Sequence, residues 1–266
     1  MNQIRPAPPE DARYQVRSVG RALDLLDRLA AAQEAVGLSD LARQVGASKS
    51  ATYAMLQTLC ARGLVDSAGE GFARRYTLGM GLARLGHLAA RQVTLTDLAQ
   101  PYLRELTGLT HLGSRVATFD GARAVMIAQV DGPTAVRFNL HMGAREELHC
   151  SGIGKAILST FDDATVRELL AGRDLPRRTA RTLTTVEALL ADLQQARERG
   201  FAVDDEEDAD GICCVGAPVF DHSGGCAGAL SVTGLKVSFP GSRVREVGHL
   251  VRTSAAALSA RLGWLP

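Results

Sequence analysis

Six acidic residues crowd the seven positions from Asp204 to Asp210, in the segment VDDEEDAD. Carboxylates at this density can bind a hard cation, but their order does not follow the spacing of an EF-hand loop. A run of like charge is more often a solvated loop, and this is the interpretation that the sequence favours. We therefore predict neither a metal site nor a cofactor here.

A glycine-rich segment, HCSGIGKA, precedes a predicted helix that begins at Gly152. It lacks the full G-x-x-x-x-G-K-[ST] spacing of a nucleotide phosphate loop, so nucleotide binding is not expected. Gly152 and Gly154 would leave backbone N–H groups open at the start of this helix, where the helix dipole favours a carboxylate. The alternative is a glycine turn that only starts the helix.

The chain has 5 cysteines, an odd number, scattered without a C-x-x-C pair. This spacing argues against a disulfide framework and a tetrathiolate zinc site, and it fits a reducing cytoplasm. No G-x-S-x-G elbow, H-E-x-x-H motif or dinucleotide fingerprint is present, so we do not expect an enzyme. A small-molecule enzyme and a metal- or redox-responsive regulator stay as alternatives, the latter drawing on His149, Cys150, Cys213, Cys214, His222 and Cys226.

Three predicted helices follow one another closely near the N-terminus. The segment SVGRALDLLDRL has apolar residues at helical spacing, with Ser18 as its N-cap. After Gly37, Ser39 is placed to cap a second helix that Gly46 ends, because glycine accepts the left-handed conformation of a helix C-terminus. Ser48 then caps a third helix, so only a very short turn separates the last two, which is typical of a helix-turn-helix.

The third helix, KSATYAMLQTLCARG, would offer its N-terminal side chains to the major groove of DNA. We expect its Ala51, Met55, Leu56 and Leu59 to face inward. A predicted strand at Leu64 and Val65, a glycine-containing loop and a returning strand, RRYTLG, then form a β-wing whose arginines reach the sugar-phosphate backbone. The predicted DNA contacts are Ser48, Lys49, Ser50, Thr52, Tyr53, Gln57, Arg74 and Arg75.

Charge is distributed unevenly, although the net charge is only +1. Residues 1–91 contain 12 Lys and Arg against 8 Asp and Glu, whereas residues 92–266 contain 18 against 21. The basic first third suits a polyanion such as DNA. Residues 1–15 are proline-rich and predict a disordered tail, and no apolar run reaches the roughly 18 residues of a membrane span. We therefore expect a cytoplasmic protein with no membrane partner.

The remainder of the chain predicts a mixture of strands and helices. GLARLGHLAARQ and LTDLAQPYLRELTGLT are helical and apolar enough to link two domains and to bury surface against a second subunit. GSRVATFDG, AVMIAQVDG and AVRFNLHMG predict strands with glycine turns. This pattern indicates one α/β or α+β domain. Further helices are predicted from Gly152, around Val166, over Thr184–Arg199 and over Arg243–Leu262, and further strands over Ile212–Phe220 and Ala227–Gly234.

Five segments in order make the chain similar to the IclR-type family of bacterial transcriptional regulators, from about Val16 to Leu262. They are SVGRALDLLDRL, the helix pair with SKSATYAMLQTL, RRYTLG, LHCSGIGKAIL, and GFAVDDEEDADGICCVGAPVFD followed by GALSVTG. The resemblance implies an α+β protein with an N-terminal winged helix-turn-helix domain over residues 16–80. A linker helix over 81–95 and a C-terminal GAF-like α/β effector-binding domain over 96–266 would follow.

The resemblance also implies where an effector binds. Ser231 and Thr233, in LSVTG, lie two residues apart and would point to the same face of a strand. This chain differs from the family at two of these positions. It has Thr233 where serine is frequent, and it has two consecutive cysteines, Cys213 and Cys214, where the family has one. Apolar walls would come from Met126, Phe138, Leu140, Met142 and Leu148, although such alternation is also typical of plain core. The predicted effector contacts are Gly152, Ile153, Asp204, Cys214, Ser231, Thr233, Met142 and Leu140.

The implied function is a ligand-responsive repressor or activator of a catabolic operon. Its partners would be double-stranded operator DNA, a small and in some cases aromatic organic acid, and a second copy of the chain. A homodimer or a dimer of dimers would bind a pseudo-palindromic operator. Effector binding would favour one arrangement of the subunits, and the linker helices would pass it to the recognition helices.

Overall fold

The computed structural model describes residues 16–90, 94–133 and 141–265. They form two compact units, one on either side of the gap at residues 91–93. The predicted tail, residues 1–15, lies outside the described residues. The predicted linker segment contains α4, which ends at Ala90, while Thr94 already caps the helix that follows.

The first unit packs three helices against a small antiparallel sheet with strand order β1-β3-β2. Its core is formed mainly by leucines from α1, α2 and α3, together with Val65 and Tyr76 from the two strands of the wing. The predicted hairpin is thus present, and β1 adds a third strand that the sequence did not predict. The elements are α1 Arg17–Ala31, β1 Val36–Gly37, α2 Leu38–Gln44, α3 Lys49–Ala61, β2 Val65–Ala68, β3 Arg75–Leu78 and α4 Met80–Ala90.

Helix termini in this unit only partly follow the prediction. Ser48 caps α3, since its Oγ accepts a hydrogen bond from the Ala51 N–H at 3.2 Å, and Gly46 has the expected positive φ, +63°. Ser18 and Ser39 do not act as N-caps, because α1 and α2 each begin two residues earlier than predicted, after Val16 and Gly37. For α2 the reason is β1, which pairs Gly37 with the wing and gives it the extended backbone of an N-cap residue.

The second unit is a six-stranded antiparallel sheet, in the order β6-β5-β4-β9-β8-β7, with helices on both faces. Helices α5 and α9 cover one face with a core of Leu, Val and Ala, and α6, α7 and α8 cover the other. The elements are α5 Leu95–Thr110, β4 Gly113–Phe119, β5 Ala124–Val130, β6 Arg145–Glu146, α6 Gly152–Leu158, α7 Asp163–Leu170, α8 Val186–Arg199, β7 Ala202–Asp205, β8 Ile212–Phe220, β9 Cys226–Leu235 and α9 Gly241–Arg261.

Apart from the segment AVRFNLHMG, the predicted strands and helices of this unit are confirmed, and so is the α+β fold. Most of the predicted strand AVRFNLHMG, residues 135–140, lies outside the described residues. Two short strands, β6 and β7, were not predicted, and β7 includes the start of the acidic run.

Strand β7 pairs only with the first half of β8. The outer edge of the second half of β8 has no neighbouring strand among the described residues, and three other features protect it. Pro218 has no N–H to offer at this edge. The Phe220 N–H donates a hydrogen bond to Ser259 Oγ at 2.9 Å. The Phe220 ring also stacks on Trp264 with 4.8 Å between ring centroids. The C-terminal end of the chain is thereby fixed against the sheet.

Candidate nucleic-acid interface and ligand site

The turn between α2 and α3 is tight and held by backbone hydrogen bonds. The Val45 N–H donates to the Leu41 carbonyl, and the Ala47 N–H donates to the Ala42 carbonyl, both at 3.0 Å. Ala42 is buried at the point where the helices meet. This is the geometry of a helix-turn-helix, in which the N-terminal turns of the second helix project from the domain.

Most of the predicted contacts on α3 lie on its outer side. Lys49, Ser50 and Tyr53 are exposed, and Gln57 is half-buried. Thr52 is fully buried, so the prediction that it reaches DNA is wrong. The buried positions Thr52, Leu56 and Leu59 recur at helical spacing and define the inner face of α3. Ala51 was predicted to face inward, but this orientation of α3 leaves it exposed.

The two wing arginines have different surroundings. Arg75 is exposed and its guanidinium lies over Gly37, where an added Cβ would be 3.1 Å from Nη1. Arg74 is half-buried beside the hydroxyl of Tyr76, where it opposes the effect of burial, which raises the pKa of that phenol. Arg75 is therefore the more accessible cation for a phosphate.

In the second unit, the strand register gathers polar side chains on the sheet face beneath α6. Thr233, Cys214 and Asp204 are paired in one row across β9, β8 and β7. Ser231 lies on the same face of β9, two residues from Thr233. The Thr233 hydroxyl donates to Cys214 Sγ at 3.2 Å. Four of the predicted effector residues are thus brought together, and we call them the polar row.

Helix α6 lies directly on this face because glycines allow its backbone to approach. An added Cβ at Gly216 would lie 2.4 Å from the carbonyl oxygen of Gly152, and one at Gly152 would lie 3.0 Å from Cys214 Cβ. The Gly154 N–H is not open to a carboxylate, since it donates to Ser151 Oγ at 2.9 Å. That part of the prediction is wrong: Ser151 caps the helix, and Gly154 is needed for close packing against Leu148.

The acidic run is not the solvated loop that the sequence predicted. Asp204 and Glu207 are buried, and Asp204 Oδ1 accepts hydrogen bonds from the N–H groups of Glu207, at 2.8 Å, and Asp208, at 3.3 Å. Asp204 Oδ2 is buried without a hydrogen-bond partner among the described residues. Burial of the carboxyl raises the pKa of Asp204 to about 7.

Cations and hydroxyls from distant parts of the chain hold the run in place. Fully buried Lys155 has its Nζ 2.5 Å from Glu207 Oε1 and 2.9 Å from Asp192 Oδ2. The Thr179 and Thr182 hydroxyls donate to backbone carbonyls of the run at 2.7 Å, and Arg178 pairs with Asp208. No pattern in the sequence predicts these partners, because burial of an acidic side chain is evident only in the folded chain.

Arg115, on β4, is a second buried charge that sequence reasoning missed. It is paired with Ser231 in the strand register and is 7% exposed. Its Nη1 lies 3.8 Å from Oε1 of Glu146 on β6. Burial raises the pKa of Glu146, and the Arg115 charge opposes that effect. The polar face therefore contains a guanidinium in addition to hydroxyls, a thiol and a carboxyl.

The other residues that were predicted to line the effector site do not lie together. Ile153, Met126 and Leu148 belong to the hydrophobic core under α6, which favours the plain-core alternative for the last two. Met142 is 59% exposed. Phe138 and Leu140 lie outside the described residues.

The cysteines do not gather into one site. Cys213 and Cys214 are consecutive on β8 and so point to opposite faces of the sheet. Burial raises the pKa of Cys213 to about 12, and it also raises those of Cys150 and Cys214. Within the described ranges, no three His, Cys, Asp or Glu side chains are grouped closely enough to hold a metal ion. None of the described helices is long and apolar enough to cross a bilayer.

Comparison with known proteins identifies both units. Residues 18–69 match the family model described as the IclR helix-turn-helix domain, and residues 87–260 match the one described as bacterial transcriptional regulator IclR C-terminal. The HTH-type transcriptional regulator KdgR of Escherichia coli is 34% identical over 94% of each chain. The acetate operon repressor of Salmonella typhimurium is 32% identical over 94% of this chain and 91% of its own. The crystal structure of Pseudomonas aeruginosa HmgR superposes with a TM-score of 0.72 at 26% identity, covering 94% of this chain and 99% of the other.

Proposed function

The chain belongs to the IclR family of bacterial transcriptional regulators, and on that basis we propose that a small organic acid, bound at the polar row, controls its binding to operator DNA. The helix-turn-helix unit makes it a DNA-binding regulator. The ligand would be held and released without being turned over. Repression and activation are both consistent with this arrangement.

One observation carries the proposal: a buried carboxyl oxygen, Asp204 Oδ2, lies in the polar row without a hydrogen-bond partner among the described residues. A buried polar atom without a partner is costly, and a ligand hydroxyl or protonated group would relieve that cost. The hydroxyls of Ser231 and Thr233 can donate to the oxygens of a bound acid. One relative is the acetate operon repressor of Salmonella typhimurium, which supports a link to the metabolism of small carboxylic acids.

We expect the regulator to act as a homodimer or a dimer of dimers on a pseudo-palindromic operator. Apolar side chains on α4, Leu85 and Leu88, are 46% and 44% exposed, which supports a contact with a second copy. The acid would stabilise one arrangement of the two copies and so change the spacing of their recognition helices.

Fluorescence anisotropy of the full chain on the intergenic DNA beside its own gene tests the proposal. The titration is repeated over a salt series and with a panel of small carboxylates. We expect tight binding that weakens steeply as salt rises, and a shift in affinity with at least one acid. Lys49→Ala should weaken binding and lower the salt slope by about 1, since one phosphate contact is lost.

Ser231→Ala provides the complementary variant. It should retain the DNA affinity of the wild type and respond less to the acid, because it removes only a group of the polar row. Arg167→Ala, which removes an exposed cation on α7, should change neither property and serves as the control for loss of charge. Absence of binding at every salt concentration, or consumption of the acid during the assay, would rule the proposal out.

A further inference from the structure

Arg115 lies beside the polar row, at a position that the strand register defines. It is directly opposite Ser231 in the β4–β9 pair, and Thr233 is the next residue of β9 on the same face. Side chains directly opposite in an antiparallel pair have Cβ atoms only about 4.5–5.5 Å apart. Arg115 and Glu146 are also close enough to Cys214 to influence the pKa of its thiol in opposite directions. The guanidinium therefore belongs to the same face as the predicted effector contacts.

A guanidinium this deeply buried requires an anion. A guanidinium is a permanent cation, and its planar donors match the geometry of a carboxylate. Among the described residues, Glu146 places a carboxylate oxygen 3.8 Å from Nη1 of Arg115. Hydrogen-bonded Arg–carboxylate pairs are close to 2.7–2.9 Å, so this contact is a loose ion pair.

Glu146 is also a partner that can be replaced. It lies on β6, a two-residue strand at the edge of the sheet, and Asp208 is a second acid near it. Burial and that neighbouring charge both raise the pKa of Glu146, which weakens its hold on Arg115. A ligand carboxylate that reached Arg115 directly would form a shorter and stronger ion pair.

We propose that Arg115 determines the specificity of the ligand site by binding the carboxylate of the effector, which replaces Glu146 as its ion-pair partner. This inference rests on the proposed function, because it assigns the acidic group of the same effector to a named cation. Arg115 selects acids over uncharged analogues, and Glu146 competes with them. The hydroxyls of Ser231 and Thr233 then hold the remainder of the ligand.

A purely structural ion pair makes a different prediction. If Arg115 and Glu146 only stabilised the fold, loss of either would weaken the site, and acids and neutral ligands would suffer alike. Under the exchange that we propose, the two substitutions act in opposite directions. Arg115→Met lowers the affinity for acids, whereas Glu146→Gln raises it because the competing charge is removed.

Isothermal titration calorimetry of the full chain with acetate, succinate and benzoate, each beside its amide, measures this difference. We expect Arg115→Met to lower the affinity for the bound acid about tenfold or more while the amide is unaffected. Arg115→Lys retains the charge and should keep part of the selectivity. Glu146→Gln should bind the acid more tightly than the wild type does.

Arg123 and Glu147 supply a matched control, since they form a second Arg–Glu pair near the same strands but are 42% and 25% exposed. Arg123→Met and Glu147→Gln should leave acid binding unchanged. Equal losses for acid and amide in Arg115→Met, weaker binding in Glu146→Gln, or no binding of any of the three acids by the wild type would overturn the inference. Operator binding by the ligand-free proteins is measured separately. A wild-type protein that does not bind operator DNA would contradict the proposed function and not this inference.

Discussion

At the scale of single residues, Asp204 combines two features that rarely occur together. It is 1% exposed, yet one of its oxygens has no hydrogen-bond partner within the part of the chain that the structure describes. Its other oxygen accepts two backbone N–H groups, which favour the charged form but do not outweigh burial. The proton on this carboxyl is therefore linked to folding.

Because burial raises the pKa of Asp204 from 3.8 to about 7, the folded chain holds a proton that the unfolded chain releases. The resulting stability is fully present below the lower pKa and is lost as pH rises through the higher one. We expect Asp204→Asn to reduce the fall in unfolding free energy between pH 5 and pH 8, by at most about 3 kcal/mol. Urea titrations of both proteins at several pH values measure this, and parallel pH curves would contradict it.

The charged residues of the site mark the limit of what the sequence could predict. Ser231, Thr233, Cys214 and Asp204 were predicted from their similarity to a family, and the strand register places them in one row. Arg115 was not, because its significance depends on a register between strands more than a hundred residues apart in the chain. The prediction that Thr52 contacts DNA was wrong for a different reason. Each residue along a helix turns the side-chain direction by about 100°, and the apolar pattern of α3 did not define which side of the helix faces the core.

At the scale of elements, the position of α6 depends on glycines that let helix and sheet backbones touch. Gly152 and Gly216 face each other across this contact, and the missing side chains set the separation of the layers. The polar row and the helix that covers it are therefore held together by close packing, which has little tolerance for added volume.

Gly216→Ala should destabilise the second unit by about 1–3 kcal/mol, because the new methyl group would overlap the Gly152 carbonyl. It should also weaken acid binding, since α6 must move away from the polar row. Gly108→Ala, in α5 where no atom lies within 4 Å of the added Cβ, is the control and should be neutral or stabilising. Urea titration followed by circular dichroism measures both, and equal behaviour of the two variants would contradict this account of the contact.

Most helices and the long strands were predictable from local patterns, because each buries a periodic apolar face. The short elements were not. Strands β1 and β6 have two residues each, which is too few to show an alternating pattern. Strand β7 includes the start of the acidic run, whose density of charge indicated a solvated loop. These short strands form because a neighbouring strand offers hydrogen bonds, and this same effect moved the start of α2 away from Ser39.

At the scale of the whole molecule, the first unit leaves apolar side chains uncovered on two helices. Val19 and Leu23 on α1 are 55% and 57% exposed, and Leu85 and Leu88 on α4 follow the same pattern. Residues three or four apart share a helix face, so each helix has a continuous apolar strip. The proposed homodimer would cover these strips.

Leu85→Asp together with Leu88→Asp should give a monomer in sedimentation experiments at micromolar concentration, because two charges would enter the proposed contact. Operator affinity should fall on the order of 100-fold, since a monomer gains nothing from the second half-site. Ala83→Asp, on the opposite side of α4, should remain dimeric. A dimeric double variant would exclude α4 from the contact.

The stacked pair of Phe220 and Trp264 gives each unit a different optical signature. The chain has 1 tryptophan, and it lies at the end of the second unit against the sheet. Its intrinsic emission therefore responds to melting of the second unit alone, while the helical signal of the far-ultraviolet spectrum sums over both units. Where the two melting curves separate, the units lose structure independently, and where they coincide the chain melts as one cooperative body.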